Sequence, residues 1–217
     1  MPETGATSPR ERYRVQMRAE IKQCAWEQIA TAGASALSLN AIAKQVGMSG
    51  PALYRYYASR DELITDLIRE AYRSLADAIR AARDSGTGIA GLAHALREWA
   101  LADPQRYFLV YGTPVPGYRA PGDTTEISNE IMTMLIEAFA EHPADLPQTP
   151  FDAHLEQHRR WAAAHSVPAT VLHRAVSFWT RLHGVLSLEL AGHFTGMEFD
   201  PALLFTEELN TLVPPRR

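Results

Sequence analysis

Apolar residues recur at three- and four-residue steps along almost the whole chain, and nowhere do β-branched residues alternate with polar ones over a strand's length. That spacing gathers apolar side chains on one face of an α-helix, so an all-α fold is expected. Met17, Ile21, Cys24, Ala25 and Ile29 place a first helix over about 10–31, with Gly33 as its stop. Ser38 offers an N-cap for a short helix to Val46, Gly47 is placed to turn the chain, and a second short helix runs over about 50–57. Ser59 followed by Glu62 reads as a capping box opening a long helix to about residue 83. Further helices are expected at about 89–101, 104–111, 125–141, 151–165, 168–194 and 201–212. Three Pro and three Gly between Gly112 and Asp123 leave a flexible surface loop.

The net charge of −4 is unevenly spread. Through Arg60 there are eight Lys or Arg against four Glu; beyond it there are thirteen against twenty-one Asp or Glu. A basic head on an acidic body suits a chain of which one part meets a polyanion, although chance also produces such a split. With 46% hydrophobic residues the chain has material for a packed core, which excludes a wholly disordered protein. No stretch approaches the roughly 18 apolar residues of a membrane span and the start is polar, so a cytoplasmic location and no membrane partner are expected. A lone Cys24, expected in the core, can form no internal disulfide, which fits a reducing compartment. His154 and His158 stand one turn apart, but Leu155 occupies the place of the Glu that a metalloprotease pattern needs, and surface or core histidines are the simpler reading. Gly47 to Pro51 likewise misses the hydrolase elbow, because Pro51 stands where its second Gly belongs. No catalytic residue, metal or cofactor is expected.

Within 38–57 the order is helix, glycine turn, helix, and Ile42, Val46, Met48 and Leu53 are spaced to meet across a tight corner. Ala43 is small where two backbones approach, and Gly47 tolerates positive φ. The second helix projects Ser49, Ala52, Arg55 and Tyr56 outward, while Leu53 and Tyr57 point to the core. Such a helix fits the major groove of B-DNA. Spacing alone serves an ordinary helical hairpin equally well.

The segment LSLNAIAKQVGMSGPALYRYYASRDEL, Leu37 to Leu63, resembles the helix-turn-helix of the TetR family of bacterial transcriptional repressors. The resemblance implies a three-helix DNA-binding head over residues 1–58 and a ligand-binding and dimerisation domain over 59–217. It implies that Ser38 caps its helix and touches a phosphate, that Asn40 reaches the groove, and that Ser49, Gly50, Pro51 and Ala52 open the recognition helix. Tyr54 and Tyr56 would bind phosphates through their hydroxyls, and Arg60 would keep the charge of the family's phosphate-gripping Lys. Gly50 departs from the pattern, having no side chain for a base, so readout would shift to Ser49, Arg55 and Asn40, with Ala52 free to meet a thymine methyl. Arg10, Arg12, Arg14 and Arg18 lie ahead of it, as phosphate ligands or solvated decoration.

More loosely, Pro104 to Tyr118 and Phe178 to Leu190 resemble a TetR subfamily with a Trp, His and Gly signature, here Trp179, His183 and Gly184. The resemblance implies a small-molecule effector in the body and a homodimer through the last two long helices. Leu172, Ala175, Val176, Trp179, Leu182, Val185, Leu186 and Leu190 form a stripe broad enough for that contact, with His183 and Leu204 beside it; burial inside one chain serves each residue as well. Trp99, Tyr107, Tyr111, Tyr118, Trp161 and Phe178 are candidates to line an apolar effector pocket, and each also suits a core. The expected whole is a repressor whose two recognition helices, about 34 to 36 Å apart, enter successive major grooves of a pseudopalindromic operator, released when an effector tilts the long helix. The competing reading is a helical small-molecule-binding protein or enzyme whose pocket is itself the function.

Overall fold

The computed structural model describes residues 8–144 and 146–213. Among them are ten α-helices and no strand: α1 (Pro9–Ala32), α2 (Leu39–Gln45), α3 (Gly50–Leu53), α4 (Arg60–Asp84), α5 (Gly88–Ala102), α6 (Pro104–Tyr111), α7 (Gly122–Ala140), α8 (Pro150–Gln157), α9 (Ala169–Leu190) and α10 (Pro201–Leu212). No described helix is long and apolar enough to cross a membrane.

The chain divides into two compact units, and the division falls inside α4 and not at 58/59. The first comprises the chain up to Glu70 with Thr113–Pro121; the second comprises Ala71–Gly112 with everything from Gly122 on. The head extends this far because the first turns of α4 complete its core. Leu63, Ile64 and Leu67 are fully buried, the Tyr57 hydroxyl donates to Asp66 at 2.6 Å, and Lys22 pairs with Glu70 at 2.5 Å. Met17, Ile21, Ala25 and Ile29 of α1, each one turn from the next, meet Ile42, Ala43 and Leu53 in the same interior. Each of the isoleucine, leucine and methionine side chains contributes about 1.5 to 3 kcal/mol on burial, and the alanines less. Cys24 is only partly buried.

Gly47 sets the corner between α2 and α3. Its φ is +72°, the Met48 N–H donates to Ala43 C=O at 2.9 Å, and its own N–H donates to Lys44 C=O at 3.3 Å. This pair of bonds closes a helix with a left-handed residue and satisfies carbonyls that would otherwise be orphaned. The Pro- and Gly-rich loop lies on the first unit and is anchored there: Val115 is buried, and since Thr65 Oγ1 donates to Asp61 C=O, the Tyr118 hydroxyl donates to Thr65 at 3.0 Å.

In the second unit α9 packs against α5, α7, α8 and α10. Leu172, Ala175, Phe178, Leu182 and Leu186 of α9 are buried with Phe139 of α7 and Phe205 of α10, and the Arg97 guanidinium pairs with Glu189 while lying 5.2 Å over the Phe205 ring. Besides α3, which ends at Leu53 and not at 57, two helix ends differ from the sequence expectation. α8 stops at Gln157 because Arg159 donates to the carbonyls of His165 and Val167 at 3.0 and 2.7 Å, curling the following segment into a 3-10 turn at Arg160–Ala162. α9 stops at Leu190 because Gly192, at φ +75°, closes it with the same pair of bonds that Gly47 makes.

No atom lies within 4 Å of a Cβ placed on Gly47, so Gly47→Ala meets only the backbone penalty and is expected to lower stability by about 1 kcal/mol. Urea denaturation of the two proteins measures it, and an unchanged midpoint would contradict the assigned strain.

Candidate nucleic-acid interface and aromatic site

On the head, Ser38 caps α2, its hydroxyl accepting from the Ala41 N–H at 3.4 Å, and Asn40 stands exposed. The Asn40 amide oxygen lies 3.7 Å from where a Cβ on Gly50 would sit, so the two share one surface. Ser49 and Pro51 are exposed at the start of α3, Ala52 is half-buried, Tyr54 is 48% exposed and Arg55 is exposed, while Leu53 and Tyr57 face inward. α3 proper ends at Leu53, and Tyr54 to Tyr56 continue it only as a turn.

A groove runs beside α3, lined by Arg10, Tyr13 and Arg14 of α1 together with Met48, Ala52, Arg55 and Tyr56. Three guanidinium groups and two phenols converge here from segments forty residues apart. Of the leading arginines, Arg18 is turned in: it donates to the Tyr56 carbonyl at 3.0 Å and its guanidinium stacks 5.0 Å over the Tyr57 ring. Arg60 is also largely occupied within the head. Its Nε donates to Leu37 C=O and one terminal nitrogen to Ala34 and Ser35 C=O, at 3.1, 2.7 and 3.1 Å. It holds the turn ahead of α2, which leaves Nη1, 3.7 Å from Asp61, as its remaining donor group. The sequence pattern did not single out Tyr13 or Met48 in this groove; an exposed Tyr among arginines was the available signal.

The aromatic candidates separate. Tyr107 and Tyr111 of α6 meet Trp179 and His183 of α9: the His183 ring centroid lies 5.6, 4.3 and 4.1 Å from those of Tyr107, Tyr111 and Trp179. Trp99 stands at the edge of this cluster, 6.5 Å from Tyr107, donating to Ser74 Oγ at 2.6 Å. Phe178 belongs to the core against Phe139, Trp161 is 43% exposed, and Tyr118 lies in the first unit. Trp179 and His183, expected at a dimer surface, lie in this cluster and are half-buried.

The cluster is unevenly satisfied. Tyr107, fully buried, has its hydroxyl within 3.1 Å of His183 Nδ1, the His183 carbonyl and Ser187 Oγ. Tyr111 Oη and His183 Nε2 are shut off from solvent with no hydrogen-bond partner among the described residues. Burial pushes the Tyr111 hydroxyl well above its ordinary pKa and the His183 imidazole down to about 4, so His183 is neutral at physiological pH. A buried polar atom without a partner costs about 1 to 3 kcal/mol, which a bound group can recover.

Leu172, Ala175, Leu182 and Leu186 are fully buried in the unit's own core, so their side chains have no surface left for a second copy. A helix presents such a stripe once. Val176, Trp179, His183, Leu190 and Leu204 are half-buried. Among the residues that α9 and α10 expose are Thr180, Gly184, Leu188 at 45% and Leu203 at 70%. No group of three His, Cys, Asp or Glu among the described residues is placed to hold a metal.

The His183 environment gives a pH prediction. An unfolded histidine takes up its proton near pH 6.5 and folded His183 only near 4, so His183's contribution is complete above pH 6.5 and about 3 kcal/mol of it is lost as pH falls to 4. Urea unfolding at pH 7 and 4.5 should show a smaller acid loss for His183→Gln than for the wild type; equal losses would contradict it.

Residues 23–67 match the family described as bacterial regulatory proteins, tetR family, and residues 89–212 match the tetracyclin repressor-like, C-terminal domain. HTH-type transcriptional regulator Rv1816 of Mycobacterium tuberculosis is 33% identical, over 98% of this chain and 97% of that protein. The crystal structure of putative regulatory protein SCO4313 is 68% identical with a TM-score of 0.89, over 96% of this chain and 100% of that one. Multidrug binding protein EbrR, complexed with imidazole, shares the fold at 18% identity and a TM-score of 0.54, over 92% and 96%. A helix-turn-helix carrying an exposed, arginine-bordered recognition face, joined by α4 to a helical second unit, is thus matched along nearly its whole length, and the chain belongs to the TetR family of bacterial transcriptional regulators.

Proposed function

We propose that this regulator is a homodimeric, non-catalytic repressor that a small effector releases from a pseudopalindromic operator. The observation that carries the DNA-contact assignment is the groove beside α3. Arg10 and Arg14 supply charge for phosphates there, Arg55 reaches a base edge, and the side chains of Ser49, Pro51 and Ala52 are short enough to let α3 approach closely. Asn40 stands beside Gly50 to reach the same bases. Ser38, Tyr54 and Tyr56 bind backbone phosphates through hydroxyls, and Arg60 acts chiefly by fixing the turn that sets α2.

The effector enters at the aromatic cluster. A neutral histidine and a phenol without partners favour a ligand that offers hydrogen-bonding groups to Tyr111 Oη and His183 Nε2 while its apolar body meets Trp179 and Tyr107. α4 transmits the event: it is one unbroken helix from Arg60 to Asp84, with its first turns in the head's core and Tyr72 and Ser74 beside the cluster. An effector that favours one tilt of α4 shifts the population away from the DNA-competent state, because only differential affinity for two states moves their equilibrium. The second copy docks on the exposed faces of α9 and α10, through Gly184, Leu188 and Leu203.

Two outcomes test this reading. On the DNA upstream of its own gene, followed by fluorescence anisotropy, Tyr54→Phe should weaken binding alike on all sequences while Arg55→Ala relaxes preference at one base position, a change of about 1 to 3 kcal/mol. An Arg55→Ala preference identical to the wild type would refute the assignment. For the dimer, Leu203→Arg should convert the protein to monomer in sedimentation, and an unchanged molecular mass would remove α10 from the interface.

A further inference from the structure

A second opening in the second unit shares no residue with the aromatic cluster and is not used by the function above. It is a cleft of about 840 Å³ bordered by the turn between α4 and α5, the segments flanking α8, one face of α9 and the end of α10. That volume is the size of a small-molecule site. Its walls are largely apolar, with Ile89, Leu146, Pro147 and Leu212 among them, and Leu146 is 51% exposed.

Half of its polar lining residues come from α9. Asp152, 1% exposed, accepts from the Thr149 N–H and hydroxyl at 2.6 Å through Oδ2, and its Oδ1 lies 2.9 Å from His173 Nδ1. Both oxygens are occupied, and the pair fixes the His173 ring with Nε2 as its remaining polar atom. Ser177 follows one turn later, and Arg181, another turn on, is neutralised by Glu208. Arg174 differs from all of these. Its guanidinium lies 4.7 Å over the Phe139 ring and donates to the His142 carbonyl, yet no carboxylate lies within ion-pairing distance among the described residues. Arg181, the other arginine bordering this cleft, has its carboxylate. Burial lowers the Arg174 pKa, as expected of a cation whose hydration is reduced without a counter-charge. A planar guanidinium with free donors matches a carboxylate, which takes two parallel hydrogen bonds from it.

We propose that this cleft binds a monocarboxylate carried on an apolar body, with Arg174 pairing the carboxylate, His173 and Ser177 hydrogen-bonding beside it, and the apolar walls covering the rest. The proposal is independent of the effector site and of DNA binding.

Calorimetric titration of the full chain with octanoate and with 1-octanol tests it. Octanoate should bind at least tenfold more tightly than 1-octanol. Arg174→Gln should bring octanoate to the level of the alcohol, Ser177→Phe, which fills the cleft, should weaken octanoate at least tenfold, and Tyr111→Phe should leave it unchanged. Should Arg174→Gln fail to fold, the acid-to-alcohol ratio and Ser177→Phe decide. Equal affinity for acid and alcohol, no detectable octanoate binding, or wild-type affinity in Ser177→Phe would overturn the proposal; loss of octanoate binding in Tyr111→Phe would move it to the aromatic site and overturn it equally.

Discussion

A single left-handed residue governs the recognition surface. Gly47, at φ +72°, turns the chain so that Met48 and Gly47 satisfy the last carbonyls of α2 and α3 leaves at a steep angle. Ile42, Ala43 and Leu53 can then share one interior with α1, and by the geometry of a helix the opposite sides of α2 and α3 face solvent. Asn40, Ser49, Tyr54 and Arg55 are exposed because their neighbours are buried. Around this corner the head uses arginines in two ways. Arg18 and Arg60 satisfy main-chain carbonyls and hold the frame, whereas Arg10, Arg14 and Arg55 border the groove. Guanidinium is suited to both tasks, having five donors in a fixed plane, and only the position of nearby carbonyls decides which one it performs.

In the second unit the informative groups are the polar ones in apolar surroundings. Tyr107 and Tyr111 lie one turn apart on α6 and both approach His183, yet the first has three partners for its hydroxyl and the second has none among the described residues. The same contrast separates Arg97, paired with Glu189, from Arg174, which has no counter-charge among the described residues. Buried polar groups are ordinarily hydrogen-bonded and buried charges paired, so these exceptions are the grounds on which the two ligand sites are proposed. They fall at two separate places, the aromatic cluster and the cleft at the other face of α9.

Much of this was legible in the chain alone. The helical period located every helix, because i, i+3 and i+4 spacing is a direct record of which face is buried, and Gly47 and Ser38 announced the corner. The ends of α8 and α9 were not legible, since they depend on Arg159 reaching carbonyls six and eight residues ahead and on Gly192 adopting positive φ. The stripe on α9 was read as an interface because periodicity records burial without saying against what; Leu172, Ala175, Leu182 and Leu186 turned out to face their own core. Arg60 matched a phosphate-binding position by charge, but the carbonyls of Ala34, Ser35 and Leu37 that engage it become neighbours only once the head has folded. Trp99, Tyr107 and Tyr111, which share a residue type, lie together in the fold, while Tyr118 and Trp161 lie elsewhere, because residue type carries no signal of distance. Residues 157–188 around Arg174 hold no Asp or Glu, but the sequence does not show whether a more distant carboxylate folds beside it; among the described residues none does.

The central claim is that two copies of the Gly47 corner hold their recognition helices in register on one duplex. Hydroxyl-radical footprinting of the protein on its own upstream DNA measures this at single-nucleotide spacing. The account predicts two protected patches on one face of the helix, their centres one turn apart at about 34 to 36 Å, or a whole multiple of it. A single patch, or uniform protection with no helical phase, would contradict it.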